Sequence, residues 1–339
     1  MEITSDKLQH SSRLISERLN IYTVKNGKKK KTFAEDVRDG LLDPVKGLHP
    51  KYFYDAKGSD VFELICETPE YYVTRTEAAI LKKYANELAV LNADKTVVVE
   101  LGSGSSVKTR YIINSFIDHN GRLDYIPIDV SEILIDSSQV LIKDYDKLHI
   151  TGVIAEYEEG IEMVNVITAH PKLVIFLGSS IGNFTRDEAR NLVQEISNNM
   201  NETDSFLIGF DLRKDINILN AAYNDKQGLT AEFNLNILKR INDELGGEFD
   251  LDLFEHYAYF NEKESRMEMH LVSLQNQDVY IKDIDETIHF TKGETIHTEN
   301  SYKFTDEMIS DIAASAGLQV SHTWKDDNNY FELCLMKKI

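Results

Sequence analysis

A short apolar run that breaks into a glycine-rich loop, between Thr96 and Lys108, constrains the fold more than any other stretch. The run from Thr96 to Leu101 is β-branched and apolar, which predicts a buried strand, and it is too short for a helix with one exposed face. It ends at Gly102, and a second glycine follows at Gly104. Two glycines at this spacing let the backbone turn tightly and approach a ligand without interference from Cβ atoms. The sequence therefore predicts a cofactor site at the end of this strand.

The residues around the loop indicate which cofactor it binds. Val107 stands where a dinucleotide-binding loop needs a third small residue, and Glu100 before the first glycine suits a cationic ligand better than a diphosphate. Asp129 ends the next apolar run, Tyr125–Ile128, close to the ~20-residue spacing at which an acid accepts hydrogen bonds from ribose hydroxyls. The combination resembles the S-adenosylmethionine site of a Rossmann-like methyltransferase. An ordinary strand-to-helix turn is the alternative, and Asp129 disfavours it.

Composition excludes several classes of protein. A chain of 339 residues with 42% hydrophobic content can bury a large core and is long enough for two parts that share one site. No stretch approaches the ~18 continuous apolar residues of a membrane span, and the first residues hold no apolar signal-peptide core. We therefore expect a cytoplasmic, monomeric protein without a membrane partner, in which Cys66 and Cys334 are buried free thiols. The net charge of −20 disfavours nucleic acid as a partner, and the basic cluster Lys28–Lys31 is interpreted as a solvated turn.

From Thr96 onward, strand patterns alternate with helix patterns, which predicts a parallel sheet covered on both faces. A terminal antiparallel hairpin, Val320–Trp324 with Tyr330–Met336, is typical of how Rossmann-like methyltransferases close. The predicted strands of the sheet are Thr96–Leu101, Tyr125–Ile128, His149–Ala155, Leu173–Leu177 and Ser205–Asp211. The predicted helices between them are Lys108–Ile117, Glu132–Tyr145 and Thr185–Asn198.

Helix-capping patterns and the insertion after Asp211 complete the predicted architecture. Ser59 is a candidate cap for a short helix, and two capping boxes, Thr74 with Glu77 and Thr185 with Glu188, are expected to open longer ones. After Asp211 the alternation gives way to two helices and antiparallel strands, a pattern that favours a substrate-binding insertion. We therefore predict an α/β protein of two parts. The substrate-binding part covers residues 1–73 and 213–302, and the Rossmann-like part covers residues 74–212 and 303–339.

Several motifs outside the glycine loop resemble the histidine-specific Nα-methyltransferases of ergothioneine biosynthesis. They follow the order of that family from about residue 50 to the end of the chain and are far more specific than the glycine loop. The motifs are Tyr52-Phe53-Tyr54-Asp55 with Gly58-Ser59, Pro69-Glu70-Tyr71-Tyr72 with Thr74-Arg75, Glu100-Leu101-Gly102-Ser103-Gly104-Ser105, Gly178-Ser179-Ser180-Ile181-Gly182-Asn183-Phe184, Ala221-Ala222-Tyr223, Glu268-Met269-His270-Leu271 and Thr298-Glu299-Asn300-Ser301.

The resemblance implies a set of contacts to S-adenosyl-L-methionine and no metal. Glu156 stands where the family is expected to carry Asp before an aromatic residue, so its contact to the adenine amino group differs in length. Lys108 has an alternative interpretation as a surface lysine of a first helical turn. The implied cofactor contacts are Gly102, Lys108, Asp129, Glu156, Tyr157 and Gly178.

For the substrate, L-histidine, the resemblance implies a polar site in which Tyr54 and Asn183 are the catalytic positions. The amide of Asn183 and the phenol of Tyr223 suit the substrate carboxylate, and Glu299 suits a ring N–H. By composition alone, Glu299 would be a surface acid in an acidic chain. The implied substrate contacts are Tyr71, Asn183, Tyr223, Met269, Glu299 and Ser301.

The activity that the resemblance implies is transfer of three methyl groups to the α-amine of histidine. A phenol with a pKa of ~10 is a poor base at neutral pH, so Tyr54 is expected to orient the amine and not to deprotonate it. Two alternatives stay open: an Nα-methyltransferase for tryptophan or a tryptophan derivative, and a catalytically silent S-adenosylmethionine-binding regulatory protein. A dehydrogenase is disfavoured by Val107.

Overall fold

The computed structural model describes residues 9–25, 31–104 and 106–339. Most of the cluster Lys28–Lys31 and Ser105 of the glycine loop lie outside these residues. The strands are β1 (Gln9–Ser16), β2 (Leu19–Lys25), β3 (Val97–Leu101), β4 (Leu123–Asp129), β5 (Leu148–Ile154), β6 (Lys172–Phe176), β7 (Ser205–Asp211), β8 (Phe254–Asn261), β9 (Arg266–Ser273), β10 (Gln277–Ile281), β11 (Glu286–Phe290), β12 (Thr295–Tyr302), β13 (Leu318–Lys325) and β14 (Phe331–Lys338). The helices are α1 (Phe33–Leu42), α2 (Ala56–Glu67), α3 (Val73–Leu91), α4 (Arg110–Asn120), α5 (Ile133–Asp144), α6 (Tyr157–Ile167), α7 (Arg186–Asn198), α8 (Ile216–Ala222), α9 (Leu229–Leu245) and α10 (Asp306–Ser315).

A nine-stranded sheet forms the centre of the molecule, with strands in the order β1-β2-β5-β4-β3-β6-β7-β14-β13. The strands from β2 through β7 in this order are parallel, and the terminal hairpin β13–β14 adds antiparallel strands beside β7. Val98 enters one apolar cluster, and its neighbours Val97 and Val99 enter another on the opposite face. Burial on both faces explains the continuous apolar run and confirms the predicted parallel sheet with its closing hairpin.

The first strands of the chain correct one predicted boundary. Residues 1–73 were assigned to the substrate-binding part, but β1 and β2 form a hairpin whose second strand pairs in parallel with β5. Arg18 fixes this hairpin by donating hydrogen bonds to the carbonyl oxygens of Ile142, at 2.9 Å, and Tyr145, at 2.6 Å. The described residues of this hairpin therefore extend the Rossmann-like sheet. Strand β1 is mostly polar and almost fully exposed, so its sequence gave no signal of this hairpin.

The second part of the molecule combines the insertion with α1 and α2. Its antiparallel sheet has the order β12-β9-β8, and β10 pairs with β11 in a separate two-stranded sheet. Helix α9 packs on one side of these strands and also against α2, which lies between β2 and β3 in the chain. Strand β12 was not predicted, because polar residues occupy most of its positions. A half-buried strand usually alternates apolar with polar residues.

Two helix starts differ from the prediction. Asp55 and not Ser59 caps α2, by accepting a hydrogen bond from the backbone N–H of Gly58 at 2.7 Å. The predicted box of Thr74 with Glu77 is wrong, since α3 begins at Val73 without a side-chain cap and the Glu77 carboxylate is fully buried elsewhere. The box of Thr185 with Glu188 is confirmed. Helix α6, which was not predicted, follows β5 directly.

The two parts meet where β12 leaves its own sheet and passes the end of β7. Leu212 forms a parallel bridge with Phe304, and the backbone N–H of Phe304 donates to the carbonyl oxygen of Asp211 at 2.9 Å. This junction brings the carboxyl end of β7 next to the last residues of β12. Among the described residues, no helix has the length and apolar character needed to cross a membrane.

Candidate active site

The glycine loop lies at the carboxyl end of β3, beside the end of β4. Gly102 and Gly104 both adopt positive φ angles, +66° and +48°, which L side chains rarely tolerate. The backbone N–H of Gly104 donates to one carboxylate oxygen of Asp129 at 2.9 Å, and the N–H of Ser131 donates to the other at 2.9 Å. Because each oxygen keeps a further lone pair, Asp129 can still accept from two ribose hydroxyls. The structure thus brings Gly102 and Asp129 to one edge of the sheet.

Tyr157 covers the first glycine of the loop. Its hydroxyl oxygen lies 3.0 Å from the point that a Cβ atom of residue 102 would occupy, so a side chain there would displace the Tyr157 hydroxyl. The ring packs edge-on against Phe176 with a centroid distance of 5.3 Å. Burial, followed by the charges of Asp129 and Glu156, raises the pKa of the Tyr157 hydroxyl. Tyr157 therefore lies within electrostatic range of both Asp129 and Glu156.

A buried carboxylate connects the remaining two cofactor candidates. Glu77 on α3 accepts hydrogen bonds from the backbone N–H of Gly178, at 2.8 and 3.0 Å, and forms an ion pair with the Lys108 ammonium group. The side chain of Glu77 is fully buried, and that of Lys108 is 22% exposed. Lys108 is thus held inward at the glycine loop, which excludes its interpretation as an unconstrained surface lysine.

Glu100 has a different role from the one its position suggested. Its side chain is buried and accepts hydrogen bonds from the hydroxyls of Thr109, at 2.6 Å, and Tyr125. Burial raises the pKa of Glu100 to about 7, against the opposing effect of these two hydrogen bonds. The carboxylate therefore joins β3 to β4 and to the start of α4, and it does not act as a charge directed at a cationic ligand.

A β-bulge in β12 positions the substrate-side polar residues. Ile296 pairs with Leu271 of β9, but after the irregularity at Thr298 the paired residues are Glu299 with Met269 and Ser301 with Met267. The side chains of Leu271, Met269 and Met267 alternate onto the same buried face. The extra residue therefore moves the odd-numbered positions of β12 to the inner face, which without it would hold even-numbered ones.

Thr298 itself is held in place at this bulge. Its hydroxyl contacts the side-chain oxygen of Asn234 at 2.7 Å and the carbonyl oxygen of Met269 at 3.1 Å. The conformation of the Thr298–Ser301 motif is therefore fixed by packing against α9 and β9. Glu299 and Met269, two of the predicted substrate contacts, are direct cross-strand neighbours.

Glu299 is partly buried and has no hydrogen-bond or ion-pair partner among the residues that the structure describes. Burial raises the pKa of its carboxyl group to about 7, and the positive charge of Lys303 acts in the opposite direction. A carboxylate in this environment gains from a ligand that donates an N–H. The side chain does not point into bulk solvent.

Aromatic side chains form a wall that leads from Tyr54 to Tyr223. The ring centroids are 5.5 Å apart for Tyr54 and Phe62, 6.0 Å for Phe62 and Tyr71, and 6.4 Å for Tyr71 and Tyr223, each pair in an edge-on arrangement. Burial and the nearby Glu299 raise the pKa of the Tyr54 hydroxyl, which therefore stays protonated at neutral pH. The structure thus brings Tyr54, Tyr71 and Tyr223 into one wall near Glu299.

Two sequence motifs support this wall. In the first, Gly58 lets α2 approach Phe53, since a Cβ atom at position 58 would lie 1.7 Å from the Phe53 carbonyl oxygen. In the second, Arg75 donates to the carbonyl oxygens of Thr68, at 2.8 Å, and Tyr71, at 2.7 Å, which holds the loop before α3. Both motifs position tyrosines and need no ligand contact of their own.

A cleft of about 470 Å³ lies between the start of α2 and the segment that follows β4. One side is formed by Tyr54, Asp55 and Ala56 at the start of α2, and the other by the segment from Ser131 to Asp136 after β4. Because Asp129 precedes that segment, Tyr54 faces the cofactor side of the molecule.

Asn183 ends a 3₁₀ turn, Ser180–Asn183, that packs on β12. Gly182 permits the close approach, since a Cβ atom there would lie 3.0 Å from the carbonyl oxygen of Tyr302. Asn183 is therefore carried next to the strand that holds Glu299, and no protein hydrogen bond to its side chain occurs within the described ranges.

Tyr223 and Ser301 are hydrogen-bonded to each other and to a lysine that the sequence did not single out. The Tyr223 hydroxyl donates to the Ser301 hydroxyl oxygen at 2.7 Å, so its proton is used within the protein and is not available to a substrate carboxylate. Lys303 donates to both oxygens. Burial would lower the pKa of Lys303, but the Asp211 carboxylate and Tyr223 outweigh it and raise the pKa above its ordinary value.

Three ionic residues of the site were therefore missed: Glu77, Asp211 and Lys303. Lys303 follows Ser301 by two residues, as Ser301 follows Glu299. Because side chains two residues apart in a strand share a face, this spacing is the one sequence signal that places Lys303 beside them. Glu77 and Asp211 gave no such signal, because their partners are distant in the chain.

The strand order, the glycine loop and the acid at the end of β4 define a Rossmann-like S-adenosylmethionine-dependent methyltransferase. Residues 33–338 match the family model described as histidine-specific methyltransferase, SAM-dependent. The chain belongs to this family.

Curated relatives cover most of the chain. A histidine N-alpha-methyltransferase of Mycolicibacterium smegmatis is 40% identical over 88% of this chain and 93% of its own length. The protein of the same name from Mycobacterium tuberculosis is 39% identical over 89% of this chain and 94% of its own length. An L-tryptophan methyltransferase of Psilocybe serbica is 26% identical over 88% of this chain and 90% of its own length.

Proposed function

We propose that this protein transfers methyl groups from S-adenosylmethionine to the α-amine of L-histidine, three times, to give hercynine, the first step of ergothioneine biosynthesis. The observation that carries this proposal is Glu299, a partly buried carboxylate beside Met269 without a protein partner among the described residues. An imidazole N–H satisfies it through a charge-assisted hydrogen bond. The relatives that are about 40% identical carry the name of this activity.

The residues at the ends of β3, β4, β5 and β6 fit the cofactor. Asp129 accepts from the ribose hydroxyls, Glu156 and Tyr157 lie at the adenine side, and Gly102 leaves room for the backbone to approach. Lys108, held by Glu77, lies beside Gly178, where it can pair with the carboxylate of the amino-acid moiety. The cofactor supplies an activated methyl group, so the protein contributes chiefly alignment of the reacting atoms.

Tyr54 and Asn183 bind and orient the reacting end of histidine. The Asn183 amide donates to the substrate carboxylate, and the Tyr54 hydroxyl orients the α-amine. Tyr54 cannot serve as the base, because its pKa is raised. The ammonium proton therefore leaves to water, and the ring of Tyr54 stabilises the quaternary ammonium of the product through cation–π attraction.

The ring of histidine lies against β12 and the aromatic wall. Glu299 accepts from one ring nitrogen, Ser301 contacts the other, and Tyr71 completes the polar surroundings of the ring. Met269 and Tyr223 limit the width of the pocket. A site built to hydrogen-bond its substrate rejects an analogue that lacks the partner group by a factor of about 10⁴.

Methylation of tryptophan is the second candidate, since a relative 26% identical carries that activity in its name. An indole also offers an N–H to Glu299, but it is wider than imidazole where Met269 lies. Purified protein incubated with S-adenosylmethionine and each amino acid, followed by mass spectrometry, distinguishes the candidates. Histidine that gains one, two and three methylene units supports the proposal, and methylated tryptophan alone contradicts it. Cofactor binding without any methylated product identifies a silent regulatory protein.

A further inference from the structure

Lys303 is a fully buried cation at the back of the substrate site. Its ammonium group has three acceptors at hydrogen-bond distance: the Asp211 carboxylate at 2.8 Å, the Ser301 hydroxyl at 2.8 Å and the Tyr223 hydroxyl at 3.0 Å. An ammonium group has three protons, so all of them are used. A lysine that only balanced the charge of Asp211 would not need to contact two hydroxyls.

The contacts of Lys303 leave one proton free in this cluster. The Ser301 oxygen accepts from Lys303 and from the Tyr223 hydroxyl, which donates at 2.7 Å. A hydroxyl has two lone pairs and one proton, so both lone pairs of Ser301 are used and its proton is not. Ser301 can therefore donate a hydrogen bond to a ligand but cannot accept one.

We propose that Lys303 is a positioning residue that fixes Ser301 as a hydrogen-bond donor and thereby makes the site specific for a ring with an in-plane nitrogen lone pair. The inference rests on the proposed function, in which Ser301 contacts the substrate ring. Glu299 and Ser301 lie two residues apart on one strand face, so an acceptor and a donor are presented side by side.

This pair matches a neutral imidazole in one tautomer. One ring nitrogen donates its N–H to Glu299, and the other accepts from Ser301. An indole or a pyrrole has a ring N–H but no in-plane lone pair, so the Ser301 proton would stay unpaired in a buried site. Lys303 thus adds a second criterion of selectivity to the acceptor that Glu299 provides.

Asp211 and Lys214 offer a matched control for Lys303. Asp211 also pairs with Lys214 and accepts from the Tyr72 hydroxyl at 2.8 Å, so replacing Lys303 leaves its carboxylate partnered. Lys214 does not contact Ser301 or Tyr223 in the described structure. The substitutions Lys303→Met and Lys214→Met each remove one cation from Asp211, and only the first releases the two hydroxyls.

The test compares kcat and KM for histidine and for two analogues, 2-pyrrolylalanine and 3-pyrrolylalanine, which keep one ring N–H at either position. In Lys303→Met we expect KM for histidine to rise about tenfold with kcat changed less than about threefold, since the lost contact is one of ground-state binding. The preference for histidine over the better pyrrole analogue should fall about tenfold, because Ser301 can then turn its proton away. Lys214→Met should leave both quantities within about twofold.

Calorimetric titration with S-adenosylmethionine shows whether each variant is folded. If Lys303→Met does not fold, Ser301→Ala, which removes the donor that Lys303 is proposed to fix and leaves the pairs of Asp211 with Lys303 and Lys214 in place, replaces it in the assay. An unchanged preference for histidine, or an equal change in Lys214→Met, would overturn the inference while leaving the proposed function intact. A wild-type protein that does not methylate histidine would instead remove the proposed function.

Discussion

Met269 lies directly opposite Glu299 in the antiparallel pair of β9 and β12. The two side chains therefore share the inner face of the small sheet, one apolar and buried, the other ionisable. Glu299 carries the polar recognition of the ring, and Met269 limits the space beside it. Substitutions at these two positions therefore test the polarity and the width of the substrate pocket separately.

Replacing Glu299 with Gln should weaken substrate binding and stabilise the free protein above neutral pH. Loss of the charge-assisted hydrogen bond should raise KM for histidine roughly tenfold. Because the pKa in the folded state is raised from 4.5 to about 7, the charged carboxylate costs stability. This cost is absent below pH 4.5, grows as the pH rises to 7 and is complete above it.

The free energy of unfolding of Glu299→Gln should therefore exceed that of the wild type by roughly 2 kcal/mol at pH 8 and by nearly nothing at pH 4.5. Urea denaturation at the two pH values measures this difference. Glu262→Gln, at an exposed turn position, is the control and should change neither quantity. An equal gain at both pH values would show that Glu299 is not destabilised by burial.

Glu77→Gln should impair cofactor binding more than substrate binding. The Glu77 carboxylate holds both Lys108 and the backbone of Gly178, and a neutral amide cannot pair with the ammonium group. We expect the Kd for S-adenosylmethionine to rise about tenfold by calorimetry, with a smaller effect on KM for histidine. Glu87→Gln changes an exposed acid of the same helix and serves as the control. An unaltered Kd would contradict the assignment of Lys108 to the cofactor site.

Tyr54→Phe should change how far methylation proceeds. The ring contacts with Phe62 and Phe233 remain, but the hydroxyl that orients the amine is lost. We expect mono- and dimethylhistidine to accumulate relative to the trimethyl product in time courses followed by mass spectrometry. Tyr257→Phe, at a half-exposed position of β8, should leave the distribution unchanged. The same product ratio in Tyr54→Phe and the wild type would remove the proposed role.

Glu268→Gln should destabilise the protein at neutral pH and less so in acid. Burial would raise the pKa of Glu268, but hydrogen bonds from Tyr259, Arg266 and Asn261 outweigh it and hold the pKa at about 2. The carboxylate therefore contributes stability that is fully present above pH 4.5 and is lost as the pH falls through 4.5 towards 2.

Urea denaturation of Glu268→Gln should show a loss of roughly 2 kcal/mol at pH 7, shrinking as the pH is lowered to about 3. Glu255→Gln, an exposed acid of β8, is the matched control. A loss that does not depend on pH would indicate a packing defect and not the loss of a charged group.

The sequence predicts the large sheet well because its signals are local. Apolar runs such as Val97–Leu101 end at glycines or acids, and helices separate them, so element type and order follow from short windows. The glycine loop and Asp129 were recognisable for the same reason. The family motifs predicted that Tyr54, Tyr71, Tyr223 and Glu299 share one site, although these residues are far apart in the sequence.

The remaining features depend on contacts between distant residues. Glu77 stands at capping-box spacing from Thr74, but spacing does not show that its carboxylate turns inward to Lys108. Strand β12 was hidden because Glu299 and Ser301 occupy positions where a half-buried strand usually carries apolar residues. Lys303 resembles a surface lysine in the sequence, and only the end of β7 reveals its partner.

The bulge at Thr298 makes the chemistry of the pocket depend on how β12 pairs with β9 as well as on the identity of its residues. If the same residues paired strictly, Thr298 would lie opposite Met269, and the acid and the hydroxyl would turn to the outside while the tyrosine that follows Ser301 turned inward. A frame change of this kind would exchange the entire recognition surface without altering a single side chain of the methyl-donor half. The position of the bulge is thus itself a determinant of which substrate the pocket accepts.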